Sequence, residues 1–111
     1  MFHDPELERV RLLNDEARRF LTDGRVYITR GIAALPVEEQ AAILERVRTY
    51  DDFRPDNDPH DEHDFGAFEH NGIIIFWKID AYDRELRYVS LDPADPRVTR
   101  RILIIMLDHE Y

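Results

Sequence analysis

Phe65-Gly66-Ala67-Phe68-Glu69-His70-Asn71-Gly72-Ile73-Ile74-Ile75-Phe76-Trp77-Lys78-Ile79-Asp80 is the stretch on which the fold turns. Asn71-Gly72 between two apolar alternating runs is the strongest short-range hairpin signal, because both residues accept positive φ in a type I′ turn. Pairing outward sets His70 opposite Ile73, Phe68 opposite Ile75, and Gly66 opposite Trp77. A glycine there leaves room for the indole. One face then collects Phe68, Ile73, Ile75, Trp77, Ile79 and Ala81, and that face is expected to bury against helices. The other starts apolar at Ile74 and Phe76 and turns polar at Lys78, Asp80 and Tyr82.

Downstream, a tight turn at Asp83-Arg84 predicts a further antiparallel strand over 86–90, with Asp80 facing Arg87. Asp92-Pro93-Ala94-Asp95-Pro96 breaks the sheet. Asp95 as cap and Pro96 at the first turn predict a last helix over 97–109. Its run Ile102-Leu103-Ile104-Ile105-Met106-Leu107 is apolar all round, so this helix is expected to be the most buried one. A strand competes there because of the isoleucines, and the proline cap favours the helix.

Upstream, Leu7, Val10, Leu13, Ala17, Phe20 and Leu21 recur at helical spacing over 5–21. Asp4 caps that helix, Pro5 starts it and Gly24 stops it. Arg9, Arg11, Arg18 and Arg19 lie off the stripe and read as a solvated face. Residues 26–30 are β-branched and end at Gly31, a first strand. A second helix runs from Pro36 to about residue 50, with Glu38 and Glu39 suiting its dipole. The order is α-β-α-β-β-β-α: an α+β fold, one domain over 1–111, with a small antiparallel sheet centred on the Asn71-Gly72 hairpin.

A chain of 111 residues with 43% hydrophobic residues can bury a core. It has no cysteine, which excludes disulfides and thiolate chemistry. No apolar run approaches the ~20 residues of a membrane span and no leader precedes the first helix, so a soluble cytoplasmic protein is expected. Phosphate loops, dinucleotide turns, nucleophile elbows and metalloprotease helix motifs are all missing.

The formal charge of −9 comes from two segments, 51–64 and 80–95. No basic patch exists to grip a phosphate backbone, so direct nucleic-acid binding is not expected. An acidic surface suits cations or basic proteins instead.

Residues 51–64 concentrate the polar chemistry. His60 and His63 with neighbouring carboxylates, Asp64 among them, are ligand types for zinc, manganese or iron. His109 and Glu110 form the other His-carboxylate pair that would complete such a set. His-x-x-His in a loop is a weak signal beside the ordinary role of Asp and Asn in turns and backbone caps. A second reading makes His63, between Glu62 and Asp64, a general base, with Lys78, Asp80 and Tyr82 along one strand face as partners. No nucleophile or substrate is marked for it.

The runs Leu13-Asn14-Asp15, Asn57-Asp58-Pro59, Glu62-His63-Asp64-Phe65-Gly66, Trp77-Lys78-Ile79-Asp80, Asp92-Pro93-Ala94-Asp95-Pro96 and Met106-Leu107 with Glu110-Tyr111 resemble the bacterial domain-of-unknown-function family 3768. The resemblance spans nearly the whole chain. It implies a small single-domain bacterial protein, sometimes carried on plasmids or phage-like elements. It brings no established activity and no catalytic residues.

The leading expectation is therefore an acidic interaction protein without a cofactor, ranked ahead of an enzyme. Asp56, Asp58, Asp61, Glu62, Asp83 and Asp92 would form a negative face for a basic or nucleic-acid-binding protein partner. An inhibitor imitating nucleic-acid charge, of the anti-CRISPR or anti-restriction type, would fit by analogy of charge and size. The alternative is a metal-dependent enzyme using a divalent metal in the Asp58–Asp64 loop.

Overall fold

A computed structural model describes residues 4–23 and 25–111. It is an α+β fold with element order α1 (Pro5–Phe20), β1 (Val26–Ile28), α2 (Arg30–Ala33), α3 (Val37–Arg48), β2 (Phe65–His70), β3 (Ile73–Asp83) and β4 (Thr99–Leu107), closed by a 3-10 turn at Asp108–Glu110. The hairpin has the register expected from Asn71-Gly72: His70 pairs with Ile73, Phe68 with Ile75 and Gly66 with Trp77. Asn71 and Gly72 both take positive φ. A Cβ on Gly66 would run into the Trp77 indole, so only glycine fits beneath that ring.

The sheet is mixed, in the order β1-β4-β3-β2. The hairpin supplies its β2 edge and one inner strand, and β4 lies between β3 (antiparallel) and β1 (parallel). Residues 97–109 are thus not the expected helix. The Asp95-Pro96 signal makes a turn instead, with Arg97 N–H donating to the Asp95 carboxylate and Val98 N–H to its carbonyl. Beyond it, the run that is apolar all round is a strand covered on both faces, a pattern a buried helix shares.

The strand expected over 86–90 reduces to one bridge, Tyr82 with Val89. Asp83 causes this. Its carboxylate accepts the N–H groups of Glu85, Arg87 and Tyr88, and Leu86 takes φ 62°, so a closed loop replaces a ladder. Asp80 pairs with Lys78 at 3.2 Å, not with Arg87, whose partner is Glu85.

Ile75, Trp77 and Ile79 on β3 and Leu103 and Ile105 on β4 face α2 and α3, forming a core with Ile32, Ile43, Val47 and Tyr50. The first helix starts as expected, with Asp4 accepting from Glu6 and Leu7 N–H, and ends at Leu21 in the left-handed conformation. Gly24, its expected stop, lies outside the described residues. The helix buries Asn14, Ala17 and Arg18, while Phe20 of the expected stripe is exposed. Arg18 therefore belongs to the interior and not to a solvated face. Among the described residues no helix is long and apolar enough to cross a membrane.

Candidate functional site

The acidic loop closes over the polar side of α1. Residues 11, 14, 15 and 18 follow helical spacing, so one face carries two cations, an amide and a carboxylate. Arg18 is fully buried, donating to Asp15 Oδ1 (3.0 Å) and to the Tyr50 carbonyl (3.1 Å). Its guanidinium sits over the rings of Phe53 and Trp77, 5.2 and 5.1 Å from their centroids. Burial pulls the Arg18 pKa down, while the hydrogen bond and charge of Asp15 act against that shift. Asn14 Nδ2 donates to the Glu62 carbonyl (2.9 Å), and Arg11 Nη1 reaches the Asp61 carbonyl (3.0 Å) and Oδ2 (2.5 Å). Adjacent turns of α1 thus hold Asp61 and Glu62.

Within the loop, Asp58 is 7% exposed and its carboxylate accepts the N–H groups of Glu62 and His63. Asp61 and His63 both take φ 56°. That left-handed region is sparsely used outside glycine, and Asp and His are among the residues that tolerate it best. The double turn brings His63 over Phe53, rings stacked at 3.7 Å and 6°. His63 Nδ1 lies 2.9 and 3.2 Å from the two Asp15 oxygens. A carboxylate can only accept, so Nδ1 donates to Asp15 and the ring is held with Nε2 toward two further carboxylates. Nε2 is 3.7 Å from Asp58 Oδ2 and 3.7 Å from Asp61 Oδ1.

One ligand atom from each of Asp58, Asp61 and His63 lies within 4.8 Å of the other two. Two ligands of one tetrahedral zinc sit roughly 3.3 Å apart, given bonds of about 2.0 Å. The two His63–carboxylate separations of 3.7 Å lie near that spacing. Asp15 behind the imidazole supplies the carboxylate-histidine support usual at metal centres.

The expected ligands separate here. His63 is in the cluster, whereas His60 is exposed and Asp64 lines a different cleft. His109 pairs with Asp108. Glu110 accepts from the Thr29 hydroxyl and from Leu107 and Gly31 N–H; these hydrogen bonds, Thr29 first, hold its pKa low.

The expected interaction carboxylates also have different surroundings. Asp58 is buried, Asp61 is ion-paired with Arg11, and Asp83 is turned onto its own loop. Asp56 is exposed within 3.6 Å of Arg54, Asp92 is exposed, and Glu62 is half-buried.

Asp15, Arg11 and Asn14 are functional neighbours that sequence reading did not assign. Their spacing with Arg18 at i, i+3, i+4 and i+7 was the available signal.

Behind the loop, Glu62, Asp64, Asp80, Tyr82, Asn14 and Arg101 surround a cleft of about 280 Å³. Burial pushes the Glu62 and Asp64 carboxyls up, helped by the charge of Asp64 on Glu62 and of Asp58 on both. Asp80 accepts from the Tyr82 hydroxyl (3.2 Å), and its charge raises the phenol. Raised carboxyls in a cleft make it a candidate site.

The family described as Protein of unknown function (DUF3768) matches residues 28–110, and the chain belongs to it. The matched segment contains the loop and Asp58, Asp61 and His63, while Arg11 and Asp15 precede it. No curated protein and no solved structure matches the chain.

Proposed function

We propose that this member of the DUF3768 family holds a divalent cation between Asp58, Asp61 and His63 and uses it in a metal-dependent reaction. The observation that carries this reading is the orientation of His63. Asp15 occupies Nδ1 and Phe53 fixes the ring plane, so Nε2 points at two carboxylate oxygens from a distance suited to a shared ion. Two carboxylates and one imidazole suit zinc or manganese. Three protein ligands leave a coordination position open, as in catalytic sites and unlike closed structural ones. Asp61, with a side chain 63% exposed, puts that position at the surface.

Elemental analysis of protein purified without chelator should find one zinc or manganese per chain. Adding either ion at a hundredfold excess over Kd should stabilise the fold by about 2.7 kcal/mol. Asp61→Asn should abolish both effects, and Asp15→Asn should weaken metal affinity about 10–100-fold with all three ligands in place. Absence of stoichiometric metal together with an unchanged Tm would remove the proposal.

A separate observation supports an interaction role. Tyr88, Val89, Leu91 and Val98 are exposed and line a groove of about 620 Å³ beside Asp83 and Asp92. Contiguous exposed apolar surface rimmed by charge is typical of protein contacts. A basic partner with apolar anchors would suit it. Affinity for such a partner should fall with salt through the Asp92 side and with Leu91→Ser through the groove.

A further inference from the structure

Along the loop, successive residues serve different clefts: Asp58 and Asp61 line one near Phe53, whereas Glu62 and Asp64 line the 280 Å³ cleft against β3. This second cleft holds donors as well as acceptors. Arg101 is 3% exposed, and Nε donates to Asn14 Oδ1 (2.6 Å) and Nη2 to the Pro93 carbonyl (2.5 Å). No carboxylate forms an ion pair with it, and Nη1 makes no hydrogen bond among the described residues. Asp23, whose carboxylate accepts the Arg101 backbone N–H (2.6 Å), acts on the guanidinium by charge alone, which leaves Nη1 as a donor open to the cleft.

The second donor comes from the sheet edge. β2 ends opposite Lys78, so β3 continues past it without a strand partner on that side. Ile79 N–H donates to the Asp64 carbonyl, Asp83 N–H to Tyr88, and the Ala81 carbonyl accepts from Ser90 N–H. N–H and C=O of one residue point to the same edge of a strand. Ala81 N–H therefore faces the cleft, between two paired neighbours and with no partner among the described residues. Val10, Ile79 and Val89 add apolar wall. Asp80 is matched by Lys78, which leaves Glu62 and Asp64 as the acceptors without a cation in hydrogen-bond contact.

We propose that this cleft binds a small aliphatic α-amino acid as its zwitterion, the carboxylate on Arg101 Nη1 and Ala81 N–H and the ammonium between Glu62 and Asp64. Both halves of the ligand are needed, because each answers a group of opposite character in the cleft. This inference does not depend on the metal centre.

Titration calorimetry of the full chain with L-valine, isobutylamine and 3-methylbutyrate separates the possibilities. L-valine should bind saturably, and the amine and the acid should each bind about tenfold more weakly or worse, since polar groups left unpaired in the site penalise each half-ligand. Glu62→Gln combined with Asp64→Asn should remove the advantage of L-valine over 3-methylbutyrate. Isobutylamine binding as well as L-valine would make the cleft a cation site and overturn the proposal. Absence of saturable heat at millimolar L-valine would overturn it equally.

Discussion

Two acidic, proline-broken loops leave this sheet, and they dispose of their charge in opposite ways. The 51–64 loop turns inward. Asp58 caps two backbone N–H groups, Asp61 meets Arg11, His63 meets Asp15, and Phe53 stacks between His63 and the core. The 84–98 loop closes on itself through Asp83 and the Ser90–Thr99 hydroxyl pair, and leaves Tyr88, Val89, Leu91 and Val98 exposed. The difference lies in what passes nearby. α1 offers Arg11, Asn14, Asp15 and Arg18 to the first loop, and Arg9, through the Ala94 carbonyl, to the second. Formal charge alone therefore says little about which carboxylates a partner can reach.

Removing the shared foundation should do the most damage. Trp77→Ala empties the fully buried position under Gly66 and Arg18 and should cost ~3–5 kcal/mol in urea denaturation. Arg18→Ala should cost about 3 kcal/mol, since a buried ion pair loses one member while the Tyr50 carbonyl loses its donor. Asp58→Ala should cost about 1–3 kcal/mol by orphaning the Glu62 and His63 N–H groups. In the other loop, Leu91→Ser should stay within about 0.5 kcal/mol of the parent, because that side chain is already in water. A cost for Leu91→Ser comparable to that of Asp58→Ala would erase the contrast between the loops.

The smallest effect concerns pH. Glu62 and Asp64 bind their protons more tightly in the fold than in the open chain, mainly through burial. Such groups favour folding below their unfolded pKa, and that contribution is lost as pH rises through the raised folded value. Their ionised forms therefore weigh against the fold at neutral pH. Glu62→Gln with Asp64→Asn should raise Tm at pH 7, and the gain should shrink as pH falls toward about 4, the ordinary carboxylate range. A Tm lowered at pH 7 would mean that these carboxylates hold the loop to the strand. At Asp64, however, that tie is a backbone one, its carbonyl accepting Ile79 N–H.

The hairpin was legible because its determinants are local: Asn71-Gly72 fixes the turn, and the register then places Gly66 under Trp77. The 99–107 strand was not, because an all-apolar run carries no period, and Asp95-Pro96 starts a turn as readily as a helix. Most of the candidate site was hidden for a different reason. Asp58, Asp61 and His63 are close in sequence, but the group that aims the imidazole is Asp15, 48 residues away. Arg18 is equally unreadable from composition, since a buried arginine needs aromatic rings and a carbonyl from other segments to keep it there.

The central claim is that Asp15 holds His63 with Nε2 presented to a cation shared by Asp58 and Asp61. Long-range nitrogen–proton NMR of the His63 ring, recorded before and after adding zinc, tests it most directly. The hydrogen should reside on Nδ1 in both states, and zinc should shift the Nε2 resonance of His63 while leaving those of His60 and His109 in place. An Nε2 that ignores zinc, or a ring carrying its hydrogen on Nε2 with Nδ1 bare, would contradict the account.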